Sequence, residues 1–213
     1  DGASEVADAI RIDDTVTGAP VVISGCTVRN YTNRFVYVSL SGKIESLTID
    51  DCIFIGADNS TTNKAIYASS AHTQVETLSV TNSTFLNFNT GSNYFFRINC
   101  GEELVLMPVV LIDHCTFYNC YDRRGVYLYN AGRSTIKNCI SAFSERRDDT
   151  KSFTAYGDES IVKNVISYNV DLYGSAPKEN IISKNPLFVD AENGNFQLYK
   201  DSPAVGAGDD GSD

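Results

Sequence analysis

One column of residues restricts the possible folds of this chain more than anything else in it. Six segments align on a common frame, residues 22–28, 48–54, 79–85, 111–117, 136–139 and 162–165. Within that frame, one position reads Gly25, Asp51, Asn82, His114, Asn138 and Asn164. Gly, Asn, Asp and His are the residue types that best tolerate positive φ. A column made only of them predicts a sharp bend repeated once per unit. The next column reads Cys26, Cys52, Ser83, Cys115, Cys139 and Val165, in steps of 26, 31, 32, 24 and 26 residues. Four residues further on, Asn30, Gly56, Asn87, Asn119 and Asn169 mark a second bend, with Phe143 as the exception.

Between the two bends lies a short strand that alternates inward Cys and inward Val or Phe with a polar residue. A further strand follows each of the first five units, at 35–38, 65–68, 94–97, 125–128 and 152–155. Uneven steps suit a solenoid, whose coils absorb insertions in loops. The expected fold is therefore all-β, a single-stranded right-handed parallel β-helix of five to six coils over about residues 20–184. Rungs about 4.8 Å apart would make a rod on the order of 25–30 Å long. An open solenoid end exposes apolar core and unpaired edges, so residues 185–208 are expected to cap it, with Leu187 and Phe188 over the last rung and Asn193-Gly194 in a tight turn. The whole of 1–213 reads as one domain.

Composition narrows the function. The net charge of −10 argues against a nucleic-acid or anionic-membrane partner. No run approaches the roughly 18 apolar residues of a membrane-spanning helix, and Asp1-Gly2-Ala3-Ser4 shows no signal peptide. The six cysteines include no C-x-x-C pair. An inward column wants small residues of uniform size, and Ser83 and Val165 share the cysteines' column, so the thiols read as packing rather than as a metal site. Cys100 and Cys120 lie outside that column. The sequons at Asn30, Asn59 and Asn82 read as by-products of Asn-rich turns.

The chain also resembles a known group. The carrying residues are Asn185-Pro186-Leu187-Phe188-Val189-Asp190, Asn193-Gly194-Asn195-Phe196-Gln197-Leu198 and Asp201-Ser202-Pro203-Ala204-Val205-Gly206-Ala207-Gly208. This run is similar to the closing segment of pectate-lyase-like β-helix proteins, including the chondroitinase-B-like group. It also resembles uncharacterised secreted β-helix proteins of gut bacteria that degrade glycans. The resemblance covers about residues 20–208 and implies a bacterial protein that is extracellular, at the cell surface or periplasmic. Its implied partner is a polysaccharide, acidic in the related lyases, which use Lys or Arg as base or acid. Calcium is implied only by the same resemblance; the residues themselves point to no cofactor.

Candidate binding residues form two columns. Arg34, Lys64, Asn93, Arg124 and Lys151 stand just before the second strand, with Arg97 inside its third copy. Beside them Tyr37, Tyr67, Phe96 and Tyr127 form an aromatic column. Aromatic faces stack on sugar rings, and guanidinium groups grip carboxylates in pairs. A solvated column of charges is also tolerable without a ligand, since neighbours 4.8 Å apart repel by only about 0.9 kcal/mol in water. A second cluster, Asp122-Arg123-Arg124 with Glu145, Arg146, Arg147, Asp148, Asp149 and Lys151, reads either as self-neutralising loops or as a binding site. Glu145 with Asp122 or Asp148 would be the carboxylate pair of a glycoside hydrolase. His72 and His114 stand apart from any evident nucleophile, and the acidic run 209–213 reads as a solvated tail. Three functions remain open: a non-catalytic glycan-binding or scaffold module, a polysaccharide lyase acting by β-elimination, and a structural adhesin or stalk.

Overall fold

The computed structural model describes residues 8–13, 18–29, 31, 33–39, 43–56, 64–70, 74–89, 94–100, 108–129 and 131–212. Asn30, Asn59, His72, Asn93 and Asp213 lie outside the described residues. The first strands are β1 (Asp8–Ile12), β2 (Val21–Ser24), β3 (Thr27–Arg29), β4 (Arg34–Val38), β5 (Lys43–Asp50) and β6 (Ile53–Ile55). Then come β7 (Lys64–Ser70), β8 (Gln74–Thr81), β9 (Thr84–Leu86), β10 (Phe96–Cys100), β11 (Val109–Asp113) and β12 (Thr116–Tyr118). β13 (Val126–Tyr129), β14 (Arg133–Ala142), β15 (Lys151–Ala155), β16 (Ile161–Tyr168), β17 (Asp171–Tyr173) and β18 (Lys178–Ile182) follow. The last pair is β19 (Phe188–Asp190) and β20 (Asn195–Leu198).

The chain is all-β, and its two large sheets are parallel. β1-β4-β7-β10-β13-β15-β17 make a seven-stranded sheet, so every third strand returns to the same sheet until the spacing tightens after β13. The second sheet runs β2-β5-β8-β11-β14 along one half and β14-β12-β9-β6-β3 along the other, with β16 and β18 continuing beyond β14. β14 and β16 span both halves because each keeps its ladder across the bend residue. Among the described residues only β19 and β20 pair antiparallel.

Every member of the first bend column has positive φ: Gly25 at 63°, Asp51 at 51°, Asn82 at 49°, and His114, Asn138 and Asn164 at 50°. Asn180 adds a seventh at 49°. The bends stack by backbone hydrogen bonds. Gly25, Asp51 and Asn82 N–H donate to the carbonyls of Asp50, Thr81 and Asp113 one repeat further on. In the opposite sense, the residue after each Cys-column position donates back, as from Ile53 to Cys26 O and from Thr84 to Cys52 O, both at 2.8 Å. The column is therefore a line of stacked residues, and its thiols settle on carbonyls of the preceding repeat, Cys52 on Ile23 O and Cys115 on Val80 O. Burial pushes the Cys52 and Cys139 thiols up, away from the reactive thiolate.

The second bend column is also left-handed at Asn87, Asn119 and Asn169. Gly56 differs, because its φ is not positive. Glycine is required there by close approach, since a Cβ would lie 2.4 Å from the Asn87 carbonyl oxygen.

Stacked repeats place like over like in the core. Phe54, Phe85 and Phe117 occupy one register position in β6, β9 and β12, and their rings stack at 5.1 and 4.8 Å with interplanar angles of 12° and 6°. Phe35, Phe88 and Phe95 pack beside them, all fully buried. Such offset pairs contribute about 0.5–1.5 kcal/mol each beyond the area they bury.

The C-terminal segment takes a different place from the one expected. Phe188, Ala191 and Phe196 pack sideways against Ile55, Leu86, Tyr118, Ala142 and Tyr168. These five belong to one outward column running through β6, β9, β12, β14 and β16. The segment thus covers a flank of the second sheet, and Leu187, expected over the last rung, is partly exposed. Asp209, Asp210 and Ser212 are not a solvated tail either. Asp209 accepts from Asn138 and Lys137 and pairs with Lys163, while Ser212 meets His114 at 2.7 Å.

The bend column makes a direct prediction. Asp51 is exposed at positive φ, a region that Asp tolerates better than Ala because its short polar side chain can hydrogen-bond locally, so Asp51→Ala should destabilise the fold by about 1 kcal/mol. Asp51→Gly should be close to neutral. Chemical denaturation of both variants measures the difference, and equal losses would mean that the bend does not set the residue type.

Candidate functional site

The outer face of the seven-stranded sheet carries two adjacent columns, built by the parallel register. Inward positions Val36, Ile66, Phe96, Val126 and Phe153 align as one column, and all are buried. The neighbouring outward column reads Arg11, Tyr37, Tyr67, Arg97, Tyr127 and Thr154. The position two residues before the inward column supplies Arg34, Lys64, Tyr94, Arg124 and Lys151.

This register corrects the aromatic column by one residue in the third repeat. Phe96 faces the core, and Arg97 takes the place expected for an aromatic. The physical reason is decisive: with Phe96 outward, Arg97 would fall in the column of Val38, Ala68 and Leu128, and a guanidinium would be buried among apolar groups. A slip of one residue inverts every face of a strand. Asn93, expected in the basic column, lies outside the described residues; Tyr94 occupies that row instead. In this repeat the aromatic and the cation have exchanged columns.

The exchange leaves the stripe continuous. Tyr37 and Tyr67 ring centroids lie 6.0 Å apart, Tyr67 and Tyr94 6.2 Å, and Tyr94 and Tyr127 5.9 Å with an interplanar angle of 14°. Tyr127 stacks in turn on Tyr129 at 5.8 Å. Cations interleave with the rings. The Arg34 guanidinium sits 3.6 Å from the Tyr37 centroid, Arg97 4.5 Å from Tyr94, and Arg124 4.7 Å from Tyr127. Lys64 Nζ lies between Tyr67 and Tyr94, 5.8 and 5.5 Å from their centroids. Each such contact is worth about 0.5–2 kcal/mol, increasing as the pair loses water.

Electrostatics follow from this crowding. Burial lowers the Lys64 ammonium below its usual range, and Arg34 and Arg97 push the same way against Tyr67 and Asp122. Burial likewise raises the Tyr94 and Tyr127 phenols, although Arg97 and Arg124 oppose it. Arg97 Nη1 donates to the Tyr94 hydroxyl, while its buried Nε has no hydrogen-bond partner among the described residues. At the N-terminal end, Asp8 neutralises Arg34 through Nε and Nη2 at 2.5 and 3.3 Å.

Of the residues singled out from the sequence, Arg34, Lys64, Tyr67, Arg97, Arg124 and Tyr127 come together on this face. Arg146 and Arg147 do not join them. Arg146 binds Asp171 at 2.9 Å and Asp148 at 3.4 Å, and Arg147 binds Glu145 while lying 3.8 Å from the Tyr121 centroid. Lys151 shares Asp171 with Arg146. This is the self-neutralising alternative, and it engages Glu145 and Asp148 as ion-pair partners rather than as a free carboxylate pair. Tyr94, Tyr129, Tyr156 and Tyr173 were missed. For Tyr94 the signal was present, since the alternation in Phe96-Arg97-Ile98 matches Val36-Tyr37-Val38.

Residues 3–88 are similar to a family described only as a domain of unknown function, DUF4957. No curated protein matches the chain. Among the described residues, no helix is long and apolar enough to cross a membrane.

The tyrosine stripe has a measurable signature. Its buried phenols ionise less readily in the folded than in the unfolded chain, whose value is near 10.0. The stability they support is therefore complete below that pH and is lost as pH rises through their folded values. In an absorbance titration the Tyr94 and Tyr127 phenols should ionise only together with unfolding. A single unshifted transition in the folded protein would contradict this.

Proposed function

We propose that this chain is a right-handed parallel β-helix of five to six coils whose outer seven-stranded face binds a polysaccharide without cleaving it, as an extracellular module of a bacterial glycan-degrading system. The observation that carries this reading is the unbroken row Tyr37, Tyr67, Tyr94 and Tyr127 with Arg34, Lys64, Arg97 and Arg124 set among its rings. Sugar rings stack on aromatic faces, and their carboxylates or sulfates take guanidinium donors. The rung spacing is near the length of one sugar, so a linear polymer lying across the strands would meet one equivalent position per repeat. The strand order of both sheets and the left-handed bend columns support the β-helix part of the proposal.

One observation favours a second reading, polysaccharide lyase. Lys64 has its ammonium lowered by burial and stands next to Tyr94 and Arg97, which suits a base with a neighbouring acid. The non-catalytic reading is preferred because the same burial and cation–π contacts follow from packing the stripe alone.

The test is retention on immobilised polyuronate, sulfated and neutral polysaccharides, combined with ultraviolet detection of unsaturated product. Expected are retention by an anionic polymer, weakening with added salt, no unsaturated product, and roughly fivefold to tenfold weaker binding in Tyr67→Ala, about 1 kcal/mol for one stacked ring. Failure to bind any of the three classes would sink the proposal. Product release abolished by Lys64→Ala would replace it with the lyase.

A further inference from the structure

The tyrosine stripe has an end, and the residues there form a groove of a different kind. Tyr127 and Tyr129 are stacked with an interplanar angle of 6°, whereas Tyr156 stands across both of them at 88° and 89°. A polymer lying along the stripe therefore meets a ring set at right angles to the rings before it. In the next two strands the outward column continues as Thr154 and Tyr173. Thr154 is buried and short, and its hydroxyl donates to the Arg124 carbonyl at 2.9 Å. It interrupts the row of large side chains between Tyr127 and Tyr173.

The register also changes here. Lys151 pairs with Asp171 and Thr154 with Tyr173, so β15 holds one residue more than β17 over the same stretch. A bulge of this kind re-aims the side chains beside it. Tyr173 is 55% exposed, in contrast to the packed rings of the stripe. Together Arg123, Arg124, Asp149, Lys151, Tyr156 and Tyr173 line an open groove of about 440 Å³, within the range of small-molecule sites. Lys151 is partly neutralised by Asp171. Arg123 and Arg124 make no ion pair among the described residues, so the groove has two guanidinium groups against the single lining carboxylate of Asp149.

We propose that this groove is a chain-end subsite that takes one terminal anionic sugar ring of the bound glycan. The sugar's carboxylate meets Arg123 and Arg124, its ring lies against the faces of Tyr156 and Tyr173, and Asp149 accepts from its hydroxyls. Arg124 belongs to both stripe and groove, since it also lies over Tyr127, which makes the two continuous. β17 is the last strand of the seven-stranded sheet, so the groove marks one terminus of the surface. The proposal rests on reading the stripe as a polysaccharide site, and it adds a polarity and a stop to that site.

The experiment uses the whole chain with methyl glucuronide, methyl glucoside, a glucuronan polymer, and an oligoglucuronan with and without neutral glucose at both ends. Binding is followed by tyrosine fluorescence, which is free of tryptophan background in a chain with no Trp. We expect saturable binding of the glucuronide in preference to the glucoside, and weaker binding of the oligomer with neutral ends. Tyr173→Ala, at an exposed position that does not threaten the core, should weaken glucuronide binding about tenfold. Arg124→Gln should erase the preference for the charged glycoside. Polymer binding without glucuronide binding, or glucuronide binding indifferent to Tyr173→Ala, overturns the chain-end site and leaves the stripe standing. Glucuronide binding without polymer binding sinks the stripe instead, and the chain-end role with it.

Discussion

The backbone hydrogen bond between successive left-handed bends is the interaction on which the rest of the structure depends. At Gly25, Asp51 and Asn82 the N–H reaches the carbonyl just before the corresponding bend in the next repeat. Such a bond forms only when both corners have the same handedness and the repeats are in register. Once it forms, every position between the bends lies over its equivalent. The phenylalanine ladder in the core, the thiol column at the bend and the tyrosine stripe outside are three consequences of that registration. None requires its own organising device.

That dependence explains which features were legible in the sequence. The bend column could be read because few residue types tolerate φ near 50°, and all six expected positions adopt it. The cores of β6, β9 and β12 followed from it by counting. The register of β10 was less accessible, because Tyr94, Phe95 and Phe96 present three aromatics in a row and offer two alignments. Only the charge of Arg97 separates them, since a guanidinium cannot replace Val38 in the interior. The local pairs of Arg147 with Glu145 and of Arg146 with Asp148 fit the self-neutralising reading of the loop, but the pairing of Arg146 with Asp171 was not legible. Asp171 lies 25 residues beyond Arg146, and only the stacking of one repeat on another brings the two together.

The C-terminal segment illustrates a limit of another sort. Its apolar residues were recognisable as a cover, but the outward column from Ile55 to Tyr168 had not been recognised as the apolar surface needing one. Outward apolar side chains are costly in water by about 25 cal/mol per Å², and Phe188 and Phe196 remove that exposure. Tyr118 ties the segment further through its hydroxyl to Glu192 at 2.7 Å. Asp209 extends the attachment along the bend column, where Asn138 and two lysines hold its carboxyl well below the usual range. One flank of the molecule is thereby closed.

This division of labour has a consequence for the site. The inward positions and the bends determine whether repeats stack; the outward positions of the seven-stranded sheet are spared from that task. The third repeat shows how far they can change. Tyr94 and Arg97 have exchanged the columns used by Arg34 with Tyr37 and by Arg124 with Tyr127, yet Phe96 keeps its place over Ile66 and beneath Val126. The stripe stays continuous because an aromatic and a cation offer each other the same contact from either column. A surface built this way can vary its order of rings and cations, and therefore what it recognises, without altering the geometry that supports it.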